Sequence, residues 1–216
     1  FADYDENLED FGTYFHTYMG VVPYRKGYGT PEQTEKMIDD KIYHSSIPTS
    51  KEYYPYYTAS DIEYFYNKKD VQYIKYGKNL AEPRNISVFT GRRIVFQRIL
   101  QLNPYRLKTT IFEDTSIVNS DLITVKPKEE SFEKYLDLMA VIISSEYFAK
   151  QIAEENINLQ RNVYPKVNMK TLLSARIPRL EDVSSEDINT CSSIVNDLIE
   201  SNDALLKAMN EYEKQL

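Results

Sequence analysis

Thr90-Gly-Arg-Arg-Ile-Val-Phe-Gln-Arg-Ile99 is the stretch on which the reading of this chain turns. From Ile94 to Ile99 only Gln97 and Arg98 interrupt the apolar run. A β-branched and aromatic run of that length, entered through Gly91, predicts a central strand whose charges sit at its ends. Arg92 and Arg93 are then expected at a loop mouth. Just upstream, Tyr76-Gly-Lys-Asn-Leu-Ala-Glu-Pro-Arg84 adds to the positive charge, and between positions 66 and 108 ten Lys or Arg stand against two acids, Asp70 and Glu82, a local net of +8. The whole chain carries −7, so the rest of it carries −15. Charge polarised in this way points to one face built for a polyanion and to others that repel it.

Outward from this stretch, residues 14–22, 73–76, 107–112 and 122–125 are also β-branched and aromatic, separated by Gly, Pro and Asn punctuation. One helix is predicted at 31–41, with Thr30 as its cap and Pro31 at the first helical position. From Ser131 the apolar spacing changes to threes and fours, through Phe132, Tyr135, Leu136, Met139, Ile142, Ile143, Tyr147 and Ile152, which predicts a helix capped by Ser131. An irregular piece follows, and Ser184-Ser-Glu-Asp187, close to a capping box, opens the last segment. There Ile188, Cys191, Val195, Leu198, Asn202, Leu205, Met209, Tyr212 and Leu216 alternate in threes and fours over four heptads. That seam predicts a long helix made to lie against another helix, with Asn202 setting register, or a terminal helix packed on its own domain. The expected class is α+β: a β-rich part over 1–127 and a helical part over 128–216, together one functional domain.

Composition bounds the function. At 216 residues and 25.3 kDa, with 42% hydrophobic residues, the chain can build a core, and no apolar run approaches the roughly 20 residues of a membrane span. The acidic start at Phe1 is unlike a signal peptide and, lacking Met, reads as a piece of a longer protein. One cysteine, Cys191, forbids an internal disulfide and fits a reducing cytoplasm, and with only His16 and His44 beside it a Cys/His zinc site is not expected. Of nineteen Tyr, fourteen fall in the first 76 residues, and Trp is absent. Tyrosine packs on sugars and bases while still hydrogen-bonding, and it also suits half-buried strands with wet edges.

Signatures of nucleotide binding, metalloprotease and serine hydrolase chemistry are missing. Asn103-Pro-Tyr105 is similar to the Asn-Pro-Pro-Tyr motif that holds a flipped adenine in DNA methyltransferases, but lacks one proline and any glycine-rich cofactor loop nearby, so it is read as a turn. Asp39-Asp-Lys41 matches a nuclease carboxylate pattern on a predicted helix, where that chemistry does not belong.

Tyr73-Ile-Lys-Tyr-Gly-Lys-Asn-Leu-Ala-Glu-Pro-Arg84 followed by Phe89-Thr-Gly-Arg-Arg-Ile-Val-Phe-Gln-Arg-Ile99 resembles the C-terminal target-recognition domain of Type IIG restriction-modification enzymes and TaqI-like adenine methyltransferases. Upstream, Gly20-Val-Val-Pro-Tyr-Arg-Lys-Gly-Tyr-Gly-Thr-Pro-Glu-Gln-Thr34 is similar to a Gly/Lys-rich segment found early in such domains, with Tyr28 where Lys is common. Downstream, Tyr164-Pro-Lys-Val167, Leu172-Leu173 and Ile177-Pro178 resemble their closing segment. The resemblance implies a non-catalytic module that selects double-stranded DNA for a separate methyltransferase domain of the same polypeptide. That domain would bind S-adenosylmethionine, with a nuclease domain in some members. Specificity domains of BREX-type phage-defence methyltransferases resemble the chain equally.

On this reading Lys75, Lys78 and Arg84 are expected on phosphates, which position without specifying. Arg92 and Arg93 are the candidates for a bidentate contact to guanine, and Arg25 and Lys26 approach from their glycine-bounded loop. Arg106 and Lys108 complete the set. Two rival classes stand beside it: a protein-interaction module acting through the terminal helix, and a tyrosine-rich carbohydrate-binding module, disfavoured by the absence of Trp.

Overall fold

Burial on both faces makes the run after Gly91 a central strand. The computed structural model of the chain describes residues 7 to 155 and 166 to 213. In chain order the elements are β1 (Leu8–Asp10), α1 (Phe11–Tyr14), β2 (Phe15–Met19), α2 (Glu35–Asp39), β3 (His44–Ser45), β4 (Tyr53–Tyr57), β5 (Ile62–Glu63), β6 (Tyr66–Asn67) and β7 (Gln72–Lys75). Then come β8 (Arg93–Gln97), β9 (Gln101–Leu102), β10 (Tyr105–Arg106), β11 (Thr109–Phe112), β12 (Ile117–Val118) and β13 (Leu122–Pro127). The C-terminal part adds α3 (Leu136–Ser144), α4 (Glu146–Glu155), α5 (Met169–Leu173), β14 (Arg176–Pro178) and α6 (Ser185–Glu213). The chain is α+β with a long C-terminal helix.

One antiparallel sheet has the order β11-β8-β13-β2. The pleat sends Ile94, Phe96, Ile123 and Val125 into one core and Val95 and Leu122 into another, all fully buried, which is why the sequence shows no polar alternation here. The first core is closed by α3 and α4 through Leu136, Met139, Ile143, Phe148 and Ile152. The second lies under a second sheet of order β12-β4-β7-β3, with β12 parallel to β4 and the other pairs antiparallel. Tyr43, Tyr56 and Tyr57 are buried in it, and Tyr18, Tyr24, Tyr54 and Tyr76 pack at its margin. Half of the fourteen early tyrosines thus pack in or against this core. The two sheets meet at Gly20, whose amide donates to the Leu122 carbonyl (3.1 Å) while Val21 donates to Val118 (2.9 Å). A Cβ on Gly20 would lie 2.1 Å from the Asn119 carbonyl oxygen and 2.3 Å from that of Val118, so only glycine permits this approach.

Several expectations shift. The helix predicted at 31–41 is reduced to α2, because residues 27–33 close on themselves: Gly27 N donates to Gln33 O (2.9 Å) and Gln33 N to Tyr28 O (2.8 Å). The cap moves from Thr30 to Thr34, whose hydroxyl accepts from Met37 N at 3.3 Å. The helix expected from Ser131 begins as a 3-10 turn over Glu130–Tyr135 and breaks at Ser145. The Ser145 hydroxyl donates to Ile142 O (2.6 Å) and accepts from Phe148 N (3.2 Å), ending α3 and starting α4 with one side chain. Asn103-Pro104 forms the two-residue turn of the β9–β10 hairpin, as read.

Ser184 caps α6 as predicted, accepting from Asp187 N at 3.1 Å. The helix lies on its own domain: Ile188, Val195 and Ile199 reach the first core, and the Asn202 side-chain amide donates to the carbonyls of Tyr64 (3.1 Å) and Phe65 (3.4 Å). Leu198 and Leu205 leave the seam and are 40% and 61% exposed, in line with Ile194 at 48%. A straight helix turns every 3.6 residues and drifts about 20° per heptad from a 3.5-residue repeat, so Ile199 replaces Leu198 at the interface. The closing segment does fasten the chain: Val167 N donates to Arg98 O (2.8 Å), and β14 pairs with β1. Tyr164 and Pro165 of that segment, and the side chains of Met209, Tyr212 and Leu216 in the seam, lie outside the described residues.

Candidate nucleic-acid interface

Gln33 builds the loop that carries Arg25 and Lys26. It is only 2% exposed, and its side-chain amide donates to the carbonyls of Pro23 (2.8 Å) and Asn79 (2.7 Å) while its oxygen accepts from Arg25 N (2.8 Å). Thr30 N donates to Lys78 O (2.8 Å) and Ala81 N to Pro23 O (3.1 Å), so the 20–34 loop and the 77–82 turn are laced backbone to backbone. Glycines at positive φ, Gly27 (77°) and Gly29 (83°), let the loop turn this sharply. Below it the Tyr24 hydroxyl accepts from Tyr43 N (2.9 Å) and meets His44 Nδ1 (2.9 Å), with the Tyr24 ring stacked on those of Tyr43 and His44. Burial, helped by the charge of Lys41, pushes His44 below its ordinary pKa, and burial pushes Tyr24 up to about 12, so the pair is neutral.

The lacing gathers Arg25, Lys26, Lys78 and Arg84 onto one loop cluster, with Lys75 at the adjacent end of β7. Within it Glu82 is central. Arg25 Nη1 pairs with Glu82 Oε1 at 2.6 Å, and Arg84 Nη2 lies 3.6 Å from Oε2. Arg84 also donates from Nε to Met19 O (3.3 Å), and its carbonyl accepts from the Tyr76 hydroxyl. The Arg25 guanidinium stacks over Tyr28, 4.9 Å from the ring centroid, and Tyr28 is 48% exposed. Lys26 pairs with Glu35 (2.6 Å) and Lys75 with Glu52 (3.3 Å), while Lys78 is exposed with no ion-pair partner among the described residues.

The other four sequence candidates lie elsewhere. Arg93 is not at a loop mouth: it is fully buried beneath the second sheet, which corrects the expectation that it reaches a ligand. The pleat puts position 93 on the same face as Val95, and the guanidinium donates to Gly91 O (2.8 Å), Asp114 O (2.7 Å) and Ser116 O (2.9 Å) over the Phe112 ring. Arg92 is spent on two carboxylates, Asp137 of α3 (2.7 Å) and Glu113 (3.0 Å), with Asp137 in turn accepting from the Ser192 hydroxyl (2.7 Å). Arg106 lies 3.7 Å from Glu146 of α4, and Lys108, beyond the far end of β8 from Arg92, pairs with Glu63 (2.7 Å). The local net of +8 is therefore largely balanced by acids from distant parts of the chain. Sequence reasoning missed Gln33 and Glu82 as organisers; an amide inside a glycine-bounded loop was the available signal for the first. Among the described residues no group of three or more His, Cys, Asp or Glu is placed to hold a metal, and no helix is long and apolar enough to cross a membrane.

No protein-family model matches the chain, and no curated protein matches its sequence. Solved structures do match in fold. The chain superposes on the type IIG restriction endonuclease BpuSI with a TM-score of 0.59 at 12% identity, over 90% of this chain and 27% of that one. It superposes on a chain from a study of complex assembly and conformational transition in the type I R-M system with a TM-score of 0.51 at 11% identity, over 96% of this chain and 42% of that one. At such identities what is shared is the fold, and this chain spans well under half the length of either structure.

Proposed function

We propose that this chain is a sequence-specific recognition domain for double-stranded DNA that directs a separate adenine methyltransferase, with or without a nuclease, in a restriction-modification or BREX-type defence enzyme of the cytoplasm. The observation that carries this is a fold shared over 90% of the chain with a type IIG restriction endonuclease. S-adenosylmethionine is then bound by the catalytic portion of the parent, and these residues supply selection. The loop cluster supports the assignment. Its ion pairs are exposed, and such pairs contribute only about 0–1 kcal/mol each, so DNA phosphates can replace Glu35 and Glu52 at small cost. Lys26, Lys75, Lys78 and Arg84 then act as backbone contacts.

Fluorescence anisotropy on mixed-sequence duplex over a range of salt tests this in the full-length polypeptide. Four phosphate contacts predict a slope of log K against log salt of about −3 to −4. Binding that ignores salt, or none at all, overturns the assignment. A protein-interaction module is the second reading, favoured by the exposed Ile194, Leu198 and Leu205 on α6. In that case charge reversal of Lys26 and Lys78 leaves all measured binding unchanged, and Leu198→Glu abolishes association with a helical partner.

A further inference from the structure

Arg92 and Arg93 are occupied by the fold, so the base-reading side chain must be another. We propose that Arg25 is that residue, presenting a bidentate guanidinium to a guanine edge, buttressed by Glu82 and Tyr28 and positioned by Gln33. The inference rests on the DNA-recognition reading above and assigns it a specificity determinant.

A reading side chain must be fixed before it meets DNA, must keep two parallel donors free, and must reach solvent. Arg25 meets all three conditions. Its backbone amide is held by the buried Gln33 at 2.8 Å, its Nη1 by Glu82 at 2.6 Å and one face of its guanidinium by the Tyr28 ring at 4.9 Å. Its Nε and Nη2 have no hydrogen-bond partner among the described residues, so one complete two-donor edge is unspent, and the side chain is 47% exposed. Guanine offers N7 and O6 as two adjacent acceptors in the major groove, which match that edge. The other arginines of the loop cluster and strand fail at least one condition. Arg84 uses Nε on Met19 O, Arg92 has Nε against Glu113 and Nη2 on Asp137 and so keeps no Nε/Nη2 edge free, and Arg93 is buried. Arg106 sits 3.7 Å from a carboxylate that Lys150 holds at 2.9 Å, which leaves it without a buttress. The neighbouring Lys26 and Lys78 have no fork to offer and suit phosphates.

Selection from a random duplex pool followed by sequencing, using the chain within its full-length polypeptide, tests the assignment. Wild type enriches a motif containing guanine. Arg25→Ala stays folded by thermal melting, loses preference at one guanine position and binds the wild-type motif about 5- to 150-fold more weakly. Arg25→Lys keeps the charge yet relaxes the same position, and Glu82→Gln relaxes it too. Lys26→Ala retains the motif, weakens all sequences alike and makes the salt slope shallower by about 1. Should Arg25→Ala or Arg25→Lys enrich the full wild-type motif, the assignment of Arg25 falls while DNA recognition stands. Should wild type enrich nothing, DNA recognition itself falls and the assignment with it.

Discussion

Arg93 shows what a charged side chain does when the strand pattern carries it inward. Its guanidinium is fully buried and satisfies three carbonyls that no other side chain among the described residues reaches, tying residues 114 and 116 to the start of β8. Burial lowers its pKa to about 10, which still leaves it charged at neutral pH. Arg93→Met strands those carbonyls and is expected to cost about 3 kcal/mol in urea unfolding, because buried groups without partners are expensive. A loss under about 1 kcal/mol would show that water or a relaxed loop replaces the guanidinium. In sequence Arg92 and Arg93 are indistinguishable neighbours at a loop mouth. Only the parity of the pleat, fixed by which face each partner strand covers, separates the one that pairs with Asp137 from the one that is buried. The same limit governs the charge excess. Glu52, Glu63, Glu113, Asp137 and Glu146 come from outside the basic stretch and neutralise much of it in space.

Among the elements, those with strong periodicity were legible. The change to helical spacing near 131 and the central place of β8 follow from apolar pattern alone, since a core stripe has to recur with the helix or strand period, and the start of α6 follows from the capping residues at Ser184. Short tyrosine strands were not. β4 reads Tyr-Tyr-Pro-Tyr-Tyr, and proline inside such a run argues against a strand; here β12 reaches only Tyr56 and Tyr57, so β4 is an edge at Pro55. The seam of α6 was legible as a helix but not as to partner. Asn202 tests that partner directly. Were it a buried polar residue in a helix-helix seam, Asn202→Leu would raise stability. With its amide donating to Tyr64 and Phe65, the substitution is expected to lower stability by about 1–2 kcal/mol in chemical denaturation.

At the scale of the molecule, two cores share one sheet. β8 and β13 contribute to both, so the helical layer and the tyrosine-rich sheet are stabilised through the same strands. Gly20 joins the two sheets, with the backbone oxygens of Val118 and Asn119 standing where a Cβ would go. Gly20→Ala is therefore expected to cost about 2–3 kcal/mol, read as a lowered unfolding midpoint, since overpacking here must part the sheets. A neutral result would mean the sheets are free to shift at this junction. The resemblance recognised in the sequence led to the fold class and its long terminal helix, whereas the sheet order and the loop chemistry emerged only when distant segments were brought together.

Gln33 grips only main-chain atoms: two carbonyls and one amide. The scaffold is therefore held without the side chains at positions 25, 26 and 28, while Gly27 keeps the positive φ the turn needs. Such a socket allows new preferences to be installed by exchanging a few exposed residues, with no repair needed in either core, and so separates the evolution of what is recognised from the survival of the fold.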